Sequence, residues 1–353
     1  MPFDDRSFPP PSGETLHHRR LLALWLFSLC AMILLMIGLG GATRLTGSGL
    51  SIMEWAPVTG VLPPLSEAEW RRLYHLYEQI PQYHLVNQGF GLAGFKQIFW
   101  LEWVHRLWGR LIGFAFIIPL AWLWMRGAVP RRLVPRLVLL FVLGGLQGAV
   151  GWFMVASGFL PDSTAVSPFR LEVHLALALV LYAALLWTGL GALHPLPRTD
   201  APKQLRRLAA AVVALVSVTI LAGGIVAGLH AGLDYNTFPL MDGRLVPQGY
   251  AALTPFPRNL VENVAAVQFD HRLLATATAL LVAALVVTGL RLAPPGLARA
   301  AVVALGAAVA AQYLLGVMTL LWVVPVGLAV AHQMTAVLVL TAALVLLHAL
   351  RRQ

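Results

Sequence analysis

Four histidines, His105, His174, His271 and His332, recur near the same ends of alternate apolar stretches in this 353-residue chain. An imidazole in hydrocarbon is costly, so four at matching depth point to ligation rather than to chance. Two opposed imidazoles with no thiolate partner suit a haem iron. Zinc fits less well, because its sites usually take three or four protein ligands. A proton relay through the membrane is the remaining reading. The other histidines (His17, His18, His75, His84, His194, His230 and His348) lie outside the apolar stretches or at their ends and read as ordinary polar residues.

A carboxylate adds to the chemistry on one side only. In EWVHR (102–106), Glu102 precedes His105 by three residues, so both project from one helix face. The matching stretch QFDHR (268–272) has Gln268 there instead. A carboxylate can take a proton or steady developing positive charge, and an amide does neither well. The contrast suggests one reactive half and one structural or electron-transfer half. Asp270 lies on another face from His271, and Glu172 is badly angled toward His174 and reads as interfacial.

Arg106 and Arg272 directly follow a histidine. Snorkelling to headgroups is their first reading, and pairing with haem propionates the second, since a guanidinium fork matches a carboxylate. Arg44 has no basic counterpart in the second half. It reads as an interface anchor or as a carboxylate-binding residue for a substrate. Trp100, Trp103 and Trp108 read as an interfacial belt first and a cofactor wall second, and Gly144, Gly145, Gly148 and Gly151 as close-packing positions between helices that would also leave room for a porphyrin.

The elements that must position these residues are membrane helices. The chain is 59% hydrophobic and 11% charged, against about a quarter charged in soluble domains. It offers eight stretches near the ~20 apolar residues a spanning helix needs: 21–41, 98–124, 134–157, 171–193, 208–229, 263–290, 299–322 and 327–349. They repeat as four plus four. GGATRLTGSGLS (40–51) matches GGIVAGLHAGLDYNTFP (223–239), WVHRLWGRLIG (103–113) matches FDHRLLATATA (269–279), and Gln147 matches Gln312. LEVHLALAL (171–179) matches LAVAHQMTAVL (328–338), so each even-numbered span carries one histidine.

The expected fold is therefore an all-α integral membrane protein, two pseudo-symmetric four-helix bundles with cofactor sites inside them. Its parts are an N-terminal tail (1–20), a first bundle (21–193) with the substrate site, a linker (194–207) and a second bundle (208–350). The formal charge of +10 is concentrated in the segments that share one side. They carry Arg19, Arg20, Arg126, Arg131, Arg132, Arg136, Arg198, Lys203, Arg206, Arg207, Arg291, Arg299, Arg351 and Arg352. That distribution puts both termini in the cytoplasm and makes nucleic acid a poor partner. The first twenty residues hold Asp4, Asp5, Glu14 and several prolines and lack the Arg-rich, acid-poor character of an organelle transit peptide, which points to a bacterial inner membrane. Cys30, the single cysteine, excludes an intrachain disulfide or thiolate cluster.

Taken together, GGATRLTGSGLSIMEW, EWVHRLWGR, LEVH, AGLDYNTFP, QFDHR and AHQ resemble the haem A synthase family over nearly the whole chain. The resemblance implies oxidation of the C8 methyl of haem O to a formyl group by successive hydroxylations, giving haem A for cytochrome oxidase. It implies that His105 and His174 bracket the substrate haem with Glu102 beside them, and that His271 and His332 hold a haem b. Haem O synthase, an electron acceptor, membrane lipid and a second copy of the chain are the partners it leaves open. Some bacterial members have a cysteine pair in the first outer loop; residues 42–97 have none, which places the chain nearer the proteobacterial and mitochondrial branch. The competing reading is a non-catalytic di-haem b electron carrier, which needs the four histidines but has no use for Glu102. A transporter would suit the repeat, but its polar residues belong at the midplane.

Overall fold

The computed structural model describes residues 13–161, 163–193 and 201–351, with side chains from residue 16. Asp4, Asp5, His194, Arg198 and Arg352 lie outside the described residues, as do residues 1–12 of the expected tail and 194–200 of the expected linker; Glu14 is described in its backbone only. Eight long helices account for the architecture: α1 (Gly13–Leu45), α2 (Gly91–Met125), α3 (Val134–Val155), α4 (Pro168–Leu193), α5 (Lys203–Gly228), α6 (Val264–Leu292), α7 (Leu297–Leu321) and α8 (Val326–Ala349). All eight are long and apolar enough to cross a membrane. Lipid offers no hydrogen bonds to the backbone, so a spanning segment of this composition closes its own bonds as a helix.

Within the first four helices, α1 packs on α2 and α4, and α3 packs on α4 and α2. The last four follow the same order: α5 packs on α6 and α8, and α7 on α6 and α8. Thus α2 faces α4, and α6 faces α8, across a ring of four. The two sets meet where α1 packs on α8 and α4 packs on both α5 and α8. Leu22, Leu26, Leu137, Leu205, Leu285, Leu305 and Leu346 belong to one continuous buried core. Tyr182 of α4 hydrogen-bonds Thr341 of α8 at 2.7 Å across that junction. Tyr182→Phe should cost about 1 kcal/mol, read as a modest fall in the detergent melting temperature. Thr341 is not orphaned by it, because its hydroxyl also donates to the Val337 carbonyl.

α1 and α2 both run past the expected spans, into the end of the molecule that carries the long connections. There Trp70, Leu73, Tyr77, Ile80, Phe95, Ile98 and Phe99 form a second core. The expected helix at 66–80 is Glu67–Tyr77, with the Ser66 hydroxyl accepting from the Glu69 N–H at 3.2 Å. The reciprocal half of a capping box is replaced: the Glu69 carboxylate binds Arg72 instead, at 2.9 Å. Burial, opposed by a hydrogen bond from Asn87 and reinforced by the charge of Glu102, raises the Tyr77 phenol above its usual 10.

Candidate functional site

All four repeat histidines point into the rings of helices, and each rests on a glycine of a neighbouring odd-numbered helix. A Cβ added at Gly40 of α1 would lie 3.3 Å from the His105 ring, and one at Gly151 of α3 would lie 2.9 Å from His174. In the other set, a Cβ at Gly223 of α5 would approach His271 to 2.9 Å, and one at Gly316 of α7 would approach His332 to 2.8 Å. His105 is within electrostatic reach of His174, and His271 of His332. The members of each pair come from helices that face each other across their ring.

The donor set fits an iron porphyrin. His271 Nδ1 and His332 Nδ1 are buried with no well-formed hydrogen bond, although the backbone of Thr219 and of Gln312 neighbours the respective imidazole, and the Oε1 atoms of Gln147 and Gln312 are buried without a protein partner. Gln147 Nε2 lies 3.2 Å from His174 Nδ1 and donates to the His174 carbonyl at 2.9 Å, while Gln312 Nε2 lies 3.5 Å from His332 Nε2. Among the described residues no three His, Cys, Asp or Glu side chains gather as a metal cage. Two imidazoles suffice for an iron whose other four positions a porphyrin fills.

Because the glycines set how far each ring can swing, Gly223→Ala and Gly316→Ala should weaken haem retention in the second set. Gly113→Ala should not, since its added methyl meets nothing within 4 Å. Haem-to-protein ratios of the three purified variants check this, and equal ratios would dismiss the glycine rests.

Glu102 is 2% exposed and fully engaged. Its Oε2 accepts from the Ser51 hydroxyl at 2.7 Å and the Ile52 N–H at 2.9 Å, and its Oε1 from Arg106 Nε at 3.0 Å. Gln268 is 3% exposed and does the complementary thing. Its Nε2 donates to the carbonyls of Ala231, at 2.7 Å, and Asp234, at 2.5 Å, and its Oε1 accepts from Arg272 at 3.0 Å. In both sets this residue stitches the connecting segment to the helix bearing the first histidine. The Glu/Gln contrast thus matches what each segment presents, donors at 51–52 and acceptors at 231 and 234.

Arg106 and Arg272 share a task as well. Arg106 donates to the carbonyls of Glu54 and Ile52 at 2.8 and 2.6 Å, and Arg272 to those of Thr237 and Tyr235 at 2.8 and 2.6 Å. The first set has a further rung, in which Arg110 binds the carbonyls of Pro57 and Ala56 at 2.9 and 2.7 Å. Residues 52–57 therefore run as a strap down α2. Neither arginine snorkels freely, since each guanidinium is committed to loop carbonyls. Arg44 Nη1 donates to the Ala227 carbonyl of α5 at 2.7 Å, so it ties the two sets together at their junction.

Two expectations change here. Glu172 is turned inward between helices: both carboxylate oxygens are buried without a partner, facing Gly224 of α5. Of the four α3 glycines only Gly151 packs closely, whereas a Cβ at Gly144, Gly145 or Gly148 would meet nothing within 4 Å. Sequence reasoning also missed Ser51 and the histidine rests. The repeated doublets Gly40–Gly41 and Gly223–Gly224 were the available signal. In each, one glycine faces its own set's histidine and the next faces the other set, Gly41 against Gln333 and Gly224 against Glu172.

The family model for COX15-CtaA, cytochrome oxidase assembly protein, matches residues 23–344. A haem A synthase of Granulibacter bethesdensis is 63% identical over 335 residues, covering 95% of this chain and 88% of that protein. Haem A synthase 2 of Acidiphilium cryptum is 50% identical over 331 residues, 92% of this chain and 90% of its own. A haem A synthase of Rhodospirillum centenum is 51% identical over 334 residues, with coverages of 94% and 89%.

Proposed function

Because the chain belongs to the haem A synthase (COX15-CtaA) family, we propose that its two histidine pairs divide the work of turning haem O into haem A. The chain is a multi-pass membrane oxidoreductase acting on haem O. The observation that carries the division of labour is the asymmetry around otherwise matched imidazoles. Only the first pair has a fixed carboxylate, Glu102, one helical turn away.

In this reading His105 and His174 hold the substrate, and its C8 methyl is oxidised by successive hydroxylations through the hydroxymethyl to the hydrated formyl group. His271 and His332 hold a haem b, which when bound supplies a one-electron relay toward an acceptor. Glu102, saturated by Ser51, Ile52 and Arg106, has no free lone pair set up to collect a proton. Its contribution is the carboxylate end of a fixed ion pair with Arg106, which steadies positive charge developing on the substrate. Arg106 and Arg272 act by positioning, locking the connecting segments over the two sites, and Arg44 holds the sites in register. The basic side faces the cytoplasm with both termini, so the histidines occupy the outer leaflet of a bacterial inner membrane.

Expressing the chain in cells that make haem O but no haem A tests the reading. Extracted haem should contain haem A or its hydroxymethyl precursor. Haem B alone would favour the electron-carrier alternative and overturn the assignment.

A further inference from the structure

The ring formed by α1 to α4 has one open side. Of all neighbouring pairs in the two rings, α2 and α3 meet least. At the connection-rich end the gap is bridged by Trp55 of the strap stacked on Trp152 of α3, with ring centroids 6.2 Å apart and planes 12° apart. Arg106 lies over the same Trp152 ring at 5.5 Å. At the other end Phe116 of α2 meets Phe141 of α3 at 5.5 Å. Phe141 and Trp152 are eleven positions apart on the helix, about 16 Å at the ~1.5 Å rise per residue.

Between those aromatic pairs stand Gly113 on α2 and Gly144, Gly145 and Gly148 on α3, each with nothing within 4 Å of an added Cβ. This is not simply a lipid-facing stripe. Gly144 falls on the face that carries buried Leu137 and Leu140 on one side and Gly151, the rest for His174, on the other. Exposed Gly144 and Gly148 thus border the face of α3 that carries Gly151, the rest for His174, and the buried, unpartnered Gln147 Oε1 lies next to Gly148 in the chain.

The other ring is closed at the same place. With Gln147 matched to Gln312, the counterparts of Gly144, Gly145 and Gly148 are Val309, Ala310 and Tyr313. Val309 is buried. Tyr313 reaches across the gap to the Thr276 hydroxyl at 3.1 Å and touches Phe238, with ring centroids 6.3 Å apart.

Haem O differs from haem b in carrying a hydroxyethylfarnesyl group in place of a vinyl. We propose that the window between α2 and α3 takes the isoprenoid chain of haem O, and that Gly144 and Gly148 set the choice of haem O over haem b in the first ring. The inference rests on the reading that His105 and His174 form the substrate site. A long apolar chain cannot be folded into a closed four-helix ring without displacing side chains, whereas an opening at hydrocarbon depth leaves it in its preferred surroundings. The filled second ring accepts only the short-substituted porphyrin.

The test transplants the second ring's residues. Purified chain carrying haem b in the second ring is titrated with haem O and, separately, with haem b, comparing wild type, Gly148→Tyr and Gly144→Val. A Cβ added at either position meets nothing within 4 Å, so both variants should fold, and melting temperatures near wild type check that. Haem O affinity should fall by about tenfold or more, the range that steric fit in an apolar pocket commands, while haem b affinity at that site stays constant. Unchanged haem O affinity in both variants would overturn the proposal and leave the window to membrane lipid. Equal losses for the two haems would also overturn it, because the window would then seat the macrocycle. A His105→Ala control separates the underlying assignment: full haem O binding without His105 means that the substrate site itself is misplaced, whatever the window variants do.

Discussion

With His271 or His332 replaced by alanine, the purified chain should lose the haem b signature in its reduced spectrum. His105→Ala and His174→Ala should keep that signature while making no haem A. The separation follows from the geometry. Each pair stands on its own ring of helices, and each imidazole has its own glycine rest. Outer-shell partners of a metal ligand typically cost ~10–100-fold in affinity when removed, and loss of an axial imidazole should exceed that. Haem extraction and spectra of the four variants, normalised to protein, decide the matter. If His271→Ala retained haem b at the wild-type ratio, the second pair would have to be reassigned.

The other large effect belongs to Glu102. In Glu102→Gln the amide keeps one acceptor for Arg106, but its NH2 then faces the Ile52 N–H, donor against donor, inside the protein. Removing one partner of a buried ion pair costs about 3–5 kcal/mol, so stability alone cannot identify the role. Gln268→Ala supplies the comparison, because Gln268 stitches the equivalent segment without any charge. Both variants should melt earlier. Only Glu102→Gln should also lose about 10²-fold in haem A formed per folded molecule, the scale on which preorganised charge acts in enzymes. Equal turnover per folded molecule in the two variants would reduce Glu102 to a stitch.

Much of this was legible before any coordinates. Spans of about twenty apolar residues can only be helices in lipid, so the eight-helix architecture and the alternation of the histidines follow from the residue pattern. What was not legible depended on partners distant in sequence. The Glu102/Gln268 contrast looked purely chemical, yet the donors at Ser51 and Ile52 and the carbonyls at Ala231 and Asp234 explain it sterically and electrostatically. No pattern in EWVHR alone could reveal which groups the connecting segment would offer.

Glycine was ambiguous for the same reason. Gly151 and Gly148 are indistinguishable by type and lie three positions apart, but one supports an imidazole and the other borders open space. Glu172 was similarly opaque: its neighbour Gly224 belongs to the other half of the chain, and a helix junction of that kind leaves no trace in local periodicity. Arg106 and Arg272 directly follow His105 and His271 in the chain, which suggested headgroups or propionates as their partners. Their guanidinium groups turn toward the carbonyls of Ile52 and Glu54 and of Tyr235 and Thr237, residues some 35–54 positions away in the chain.

The glycine doublet of α1 has a mechanical corollary. Consecutive residues, Gly40 and Gly41, touch the His105 ring and the side chain next to His332 respectively. A larger side chain at either position of that one rod would therefore press on a different chamber, Gly40 on the first and Gly41 on the second.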